Sequence, residues 1–206
     1  MSRQAPPAPK TRREQKEDTR GRVRAAALEL FESTGFEQTT TKAVAERAGV
    51  AAGTVFVHAR DKDDLLCLVM SDLLRDAVRE GFARSEKANG FVDKLLAVFG
   101  AVFEMYGAHP KLALPFIRIV PGADGPNGTI VNGLTFEFLG RLGALASEAR
   151  DRGELRADAP TTLVTQNVFA LYFFALFSWV SGYVTIENVI DPYLRMSLEL
   201  ALDGSR

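Results

Sequence analysis

Lys10, Arg12, Arg13, Lys16, Arg20, Arg22 and Arg24 crowd into one short stretch near the start of the chain, and Lys42 and Lys62 follow. Side chains of this type and density suit the neutralisation of a polyanion such as a nucleic-acid backbone. The charge is also unevenly divided. Residues 1–62 hold 12 Lys/Arg against 8 Asp/Glu, and the remainder holds 13 against 18, within a net charge of −1. An anion therefore has reason to meet the N-terminal part and not the rest. Catalytic chemistry is poorly supplied by comparison. His58 and His109 are the two histidines and Cys67 the single cysteine. There is no His-x-x-x-His pair and no paired cysteines. The glycine-rich run GADGPNG at 122–128 follows no strand and precedes no Lys-Ser/Thr, so it reads as a flexible loop rather than a phosphate cradle. The expectation is a protein that is not an enzyme and uses no cofactor and no metal site.

The elements that must position these residues are helical. Residues 1–16 form the expected basic arm: three prolines lie in its first part, apolar residues are few, and it reads as disordered. The arm lacks the apolar run of a secretory signal, and a lone cysteine permits no internal disulfide, so the expected location is cytoplasmic. From about residue 13, Val23, Ala27, Leu30 and Phe31 make one buried stripe at helical spacing. Gly35 stops that helix. Thr39, Thr40 and Thr41 offer caps for a short helix over 42–48, which ends at Gly49. A second short helix spans 52–58. Asp61 is placed to cap a long helix from about Lys62, whose apolar positions include Leu65, Leu66, Val69 and Met70. Further helices are expected over 91–107, 110–119, 126–152, 160–183 and 188–203, separated by Gly and Pro breakers.

Val44, Ala45, Ala48, Gly49, Val50 and Val55 have the spacing of a helix-turn-helix. Two short helices that cross steeply need small residues where they touch, which Ala45 supplies. The turn between them needs a positive φ, which Gly49 supplies. The valines fill the small core. With its flanks the segment resembles the TetR family of bacterial transcriptional regulators. The matching residues are Gly35-Phe36, Thr39-Thr40, Val44-Ala45, Ala48-Gly49-Val50, Gly53-Thr54-Val55-Phe56, His58, Lys62 and Leu65, over about 17–77.

The resemblance implies an all-α fold: a three-helix helix-turn-helix DNA-binding domain over 17–62, then a larger helical ligand-binding and dimerisation domain over 63–206. It also implies a double-stranded palindromic DNA operator as partner, bound by a homodimer that acts as a repressor, and a small hydrophobic effector that releases the operator. The implied DNA contacts are Thr41 and Lys42 toward phosphate, Ala52, Gly53, Thr54 and Val57 toward the major groove, and Phe56, His58 and Lys62 near the backbone. Ala51 stands where the family usually caps its recognition helix with Ser or Thr, and Ala59 where a phenylalanine usually packs. A helical small-molecule sensor with weak or lost DNA binding is the alternative left open.

Downstream, aromatic residues recur more often than a helical bundle requires. Ligand pockets are lined this way, and Phe103, Tyr106 and Phe173 are the candidate pocket residues. Residues 161–186 carry no charge. Thr162, Thr165, Gln166, Asn167, Ser178 and Ser181 dilute the segment, and no basic anchor flanks it, so burial in core and subunit interface is expected rather than a membrane span. Leu176, Phe177 and Trp179, with Tyr193, Met196 and Leu200 of the last helix, are the candidate dimer contacts, two helices from each subunit forming a four-helix bundle.

Overall fold

The computed structural model describes residues 11–203, and these form ten α-helices, a short 3-10 turn (Val120–Gly122), a π-helical stretch (Val189–Leu194) and no strand. Helix α1 (Arg12–Ser33), α2 (Thr41–Ala48) and α3 (Ala52–His58) make the head. Helix α4 (Lys62–Ser85) runs from the head into the body, which adds α5 (Phe91–Ala108), α6 (Pro110–Ile119), α7 (Gly125–Asp151), α8 (Thr161–Val180), the single turn α9 (Ile186–Asn188) and α10 (Arg195–Asp203).

The expected basic arm is shorter than the sequence suggested. Residues 1–10 lie outside the described residues, and residues 12–16 are already helical. The reason is a capping box: Thr11 Oγ1 accepts from Glu14 N at 3.2 Å, and Thr11 N donates to the Glu14 carboxylate at 2.7 Å. Asp61 caps α4 as its type and place indicated, accepting from Asp64 N at 2.8 Å. Of the three threonines, Thr40 caps α2, accepting from Ala43 N at 3.1 Å. Thr39 is buried and its hydroxyl donates to the Gly35 carbonyl at 2.7 Å.

Helix α4 packs most extensively on α5 and then on α7. Gly81 makes the α4–α5 contact possible, since a Cβ there would sit 2.7 Å from the Val98 carbonyl oxygen. The centre of the body is a nest of rings. Phe99 stacks on Tyr172 at 4.7 Å between centroids, and Phe138 meets Phe99 edge-on at 6.1 Å. The last stretch is interrupted where 188–203 was expected to be one helix. Asp191, with φ −131° and ψ 116°, breaks it, because the residue before a proline is driven out of the helical region.

Candidate nucleic-acid interface and effector cavity

The turn between α2 and α3 is closed by backbone geometry. Gly49 takes φ 64°, its N–H donates to Glu46 O at 3.2 Å, and Val50 N donates to Ala45 O at 3.0 Å. This paired bonding satisfies the last carbonyls of α2 and turns the chain sharply. Val44, Ala45, Ala48 and Val55 are buried beneath it. The result sets α3 on the outside of the head. Ala51 gives α3 no side-chain cap. Ala59, at its far end, is buried.

Most residues expected to face DNA are presented by this arrangement. Ala52, Gly53, Phe56 and Val57 are exposed, and Thr54 is half-buried. Phe56 and Val57 are 55% and 65% exposed, high values for large apolar side chains. Thr41 is half-buried at the start of α2, and Lys42 beside it is exposed, 4.0 Å from Glu46.

Two expected contacts are placed differently. His58 is buried, 5% exposed, because it closes the last turn of α3 against α1. Burial lowers its pKa below the ordinary histidine value, and the nearby Arg20 and Lys16 cations lower it further. Lys62 turns inward. Its ammonium donates to the Phe36 and Glu37 carbonyls, both at 3.0 Å, and lies 4.5 Å above the Phe36 ring. It ties α4 to the connection between α1 and α2.

The sequence reading missed a polar knot under α3. Asp64, 1% exposed, accepts from Arg60 N at 2.9 Å, Asn127 N at 2.8 Å, Gly128 N at 3.1 Å and Asn127 Nδ2 at 3.0 Å. Its carboxylate thus sits at the N-terminal turns of both α4 and α7, where helix dipoles favour negative charge. Asn127, fully buried, also donates to the His58 carbonyl at the end of α3 (2.8 Å), and its Oδ1 accepts from Arg20 of α1 at 3.2 Å. The glycine-rich run is therefore partly helical and not a free loop. Asp64 captures the N–H groups of its second half. Arg60 adds an outer clasp to Asp124 at 2.6 Å.

Further along, α7 forms one wall of an apolar cavity of about 80 Å³. Val131, Leu134 and Phe138 line it from α7, and Phe116 and Ile117 from α6. Tyr106 and Phe173 lie on the wall as expected. Phe103 does not line it. It is 2% exposed, edge-on to Tyr172 at 5.8 Å and to Trp179 at 6.3 Å, so it fills core. Tyr172 supplies the wall in its place, and its hydroxyl is hydrogen-bonded to that of Tyr106. Burial raises the pKa of Tyr106 on one side of this pair and of Tyr172 on the other well above the ordinary tyrosine value, so both stay neutral.

Helix α8 is long and apolar enough to cross a membrane by length and composition, with mean hydropathy 1.6 over its most apolar window. In the fold one side of it packs on the body through Val164, Val168, Tyr172 and Ala175. Leu176 was expected at the dimer contact but is 2% exposed and lines the cavity. Trp179 and Tyr193 are half-buried against the body, the Tyr193 hydroxyl 3.2 Å from Ser178 Oγ. Phe177, Met196 and Leu200 are exposed, at 46%, 63% and 79%, and Phe174 and Leu163 share that outer side. Among the described residues no group of three or more His, Cys, Asp or Glu is placed to hold a metal ion.

Residues 23–67 match the family described as bacterial regulatory proteins, tetR family. That match covers the head and the start of α4, where the chain is similar to regulators of the tetR family. A fatty acid metabolism regulator protein of Bacillus subtilis (strain 168) is 21% identical over 155 residues, 75% of this chain and 80% of that protein. Among solved structures, the fold is similar to that of the FadR regulator of Bacillus subtilis in complex with stearoyl-CoA. The TM-score is 0.71 at 19% identity, over 90% of this chain and 99% of the other. It is also similar to that of the FadR repressor of Thermus thermophilus in complex with lauroyl-CoA. There the TM-score is 0.67 at 25% identity, over 87% of this chain and 93% of the other.

Proposed function

We propose that the protein is a homodimeric repressor of the cytoplasm whose two heads hold a palindromic operator and whose cavity takes a long-chain acyl-CoA that releases it. The observation that carries the reading is that two of the helices lining the cavity, α6 and α7, are also tied to the head. Helix α7 runs from the cavity to the Asp64 knot and reaches the end of α3 through Asn127. Helix α6 runs from the cavity to α1, where Lys111 Nζ donates to the Glu32 carbonyl at 2.7 Å and His109 contacts the Glu32 carboxylate. The acyl-CoA class is supported by the ligands of the two similar FadR proteins.

In this reading the DNA-binding domain spans 17–62 and the effector and dimer domain 63–206. Thr41 and Lys42 face phosphate at the start of α2, and Ala52, Gly53, Thr54 and Val57 enter the major groove; Phe56, which the resemblance put near the backbone, enters with them because it is exposed beside Val57. His58 and Lys62 support the head from within. Phe177, Met196 and Leu200, joined by Phe174, pair with the same residues of a second copy. An apolar strip of that kind is ordinarily covered by another chain.

The cavity is about 80 Å³, roughly half of the ~150 Å³ that accommodates one benzene ring. A long acyl chain therefore enters only as α6 and α7 part. Moving α7 shifts Asn127 and Asp64, and with them the end of α3. Moving α6 shifts the end of α1. Either change alters the spacing of two heads that must fit successive major grooves. The effector favours the parted state, and the operator favours the closed one.

Selection of bound duplexes from a random pool, followed by anisotropy titrations, tests the reading. A palindrome is expected, released by lauroyl- or stearoyl-CoA and not by CoA alone. A pool without an enriched site, or a complex indifferent to both acyl-CoAs, contradicts it.

A further inference from the structure

The outer face of α3 is unusual in what it lacks. Bidentate reading of guanine or adenine needs a guanidinium or a side-chain amide. Residues Ala52–His58 contain neither. The Thr54 hydroxyl is the only polar side-chain group on the helix outside the buried His58. The guanidinium groups around it are already committed. Arg47 pairs with Glu29 at 2.7 Å, Arg60 with Asp61 at 2.8 Å and Asp124 at 2.6 Å, and Arg22 donates to the Ala48 carbonyl at 3.1 Å. What α3 does present is apolar. Phe56 and Val57 project into solvent, and Ala52 and Gly53 keep the rest of the face low. A Cβ built on Gly53 meets nothing within 4 Å, so the fold itself does not require glycine there. In the major groove the one apolar group that distinguishes a base pair is the thymine C5 methyl.

We propose that α3 reads its half-site chiefly by van der Waals contact of Phe56, Val57 and the Thr54 methyl with thymine methyl groups, and not by hydrogen bonds to guanine or adenine. This rests on the reading of α3 as the helix that enters the groove. Because Ala52 and Gly53 have so little bulk, the backbone of α3 approaches the base edges closely enough for these contacts. Sequence preference then follows runs of A·T pairs with a fixed strand order, since the methyl marks which strand carries thymine.

The test remakes the selected duplex with deoxyuridine in place of each thymine in turn, which removes one methyl and keeps the base pairing. Binding of the full chain is read by anisotropy at fixed salt. Each contacted thymine should cost about fourfold in affinity, the effect of uncovering one methyl group. Replacing guanines of the same half-site by 7-deazaguanine should change affinity less than twofold. V57A, on an exposed position, should keep its melting temperature and bind thymine and deoxyuridine duplexes alike at the position it touches. An enriched duplex that is indifferent to thymine methyls, or that weakens on 7-deaza substitution, overturns the inference alone. A pool with no enriched duplex overturns the groove-entering role of α3 and the inference with it.

Discussion

In the head, α2 and α3 meet through Ala45, Ala48 and Val44, all nearly inaccessible, beside a single ring pair, Phe31 and Phe36, whereas in the body the helices meet through a nest of rings that includes Phe99, Phe138 and Tyr172. Small side chains let the backbones of α2 and α3 close up. Rings of fixed shape tile less completely, and beside them lies the cavity of about 80 Å³. The difference separates two tasks. A reader of DNA must keep α3 in one orientation. A sensor must have a place where packing gives way.

The largest effect should come from the ring nest. Phe99→Ala, at a fully buried and stacked position, should cost about 3–5 kcal/mol in denaturant unfolding. A loss below 1 kcal/mol would mean that the rings are loosely held. Enlarging a small residue should then separate the two regions. Ala45→Leu in the head should cost about 1–3 kcal/mol through overpacking. Leu134→Phe, which grows into the cavity, should stay within about 1.5 kcal/mol of the parent while blunting release by acyl-CoA. Equal costs at the two sites would remove the contrast.

The head also has a weak point that one substitution should mend. Ala51→Ser supplies the missing cap of α3 and should raise stability by about 0.5–2 kcal/mol, with tighter DNA binding at fixed salt. An unchanged melting temperature would show that α3 is already held by its packing.

The smallest effect is a pH dependence. His58 has a lowered pKa in the folded head, so the unfolded chain binds the proton more readily. Stability from this group is complete above the unfolded histidine value of about 6.5 and is lost as pH falls from there toward the folded pKa. His58→Gln should flatten that part of the unfolding profile between pH 7.5 and 5.5. An unaltered slope would assign it to other groups.

How much of this was legible in the sequence follows from how local each cause is. The helix-turn-helix was readable because its small residues and Gly49 act over a few positions. The cap at Asp61 was readable for the same reason. The start of α1 at about residue 13 was legible to within one residue, whereas the end of the arm was set too far along, at 16, because prolines and charges outweighed the Thr11–Glu14 box. The inward turns of His58 and Lys62 depend on α1 and on the α1–α2 connection, and a polar residue at a helix end carries no mark of which way it faces. Asp64 and Asn127 lie 63 positions apart, and nothing local joins them. Leu176 was assigned to the wrong side because α8 has no charged residue to show which face meets water.

The central claim is that cavity and head are coupled through α6 and α7. Its most direct test is the dissociation constant of lauroyl-CoA measured by calorimetry with and without saturating operator. Linkage requires the coupling to be reciprocal. The account predicts that operator weakens acyl-CoA binding by the same factor by which acyl-CoA weakens operator binding, and that Asn127→Ala shrinks both factors together. An acyl-CoA affinity that is identical on and off DNA would contradict it.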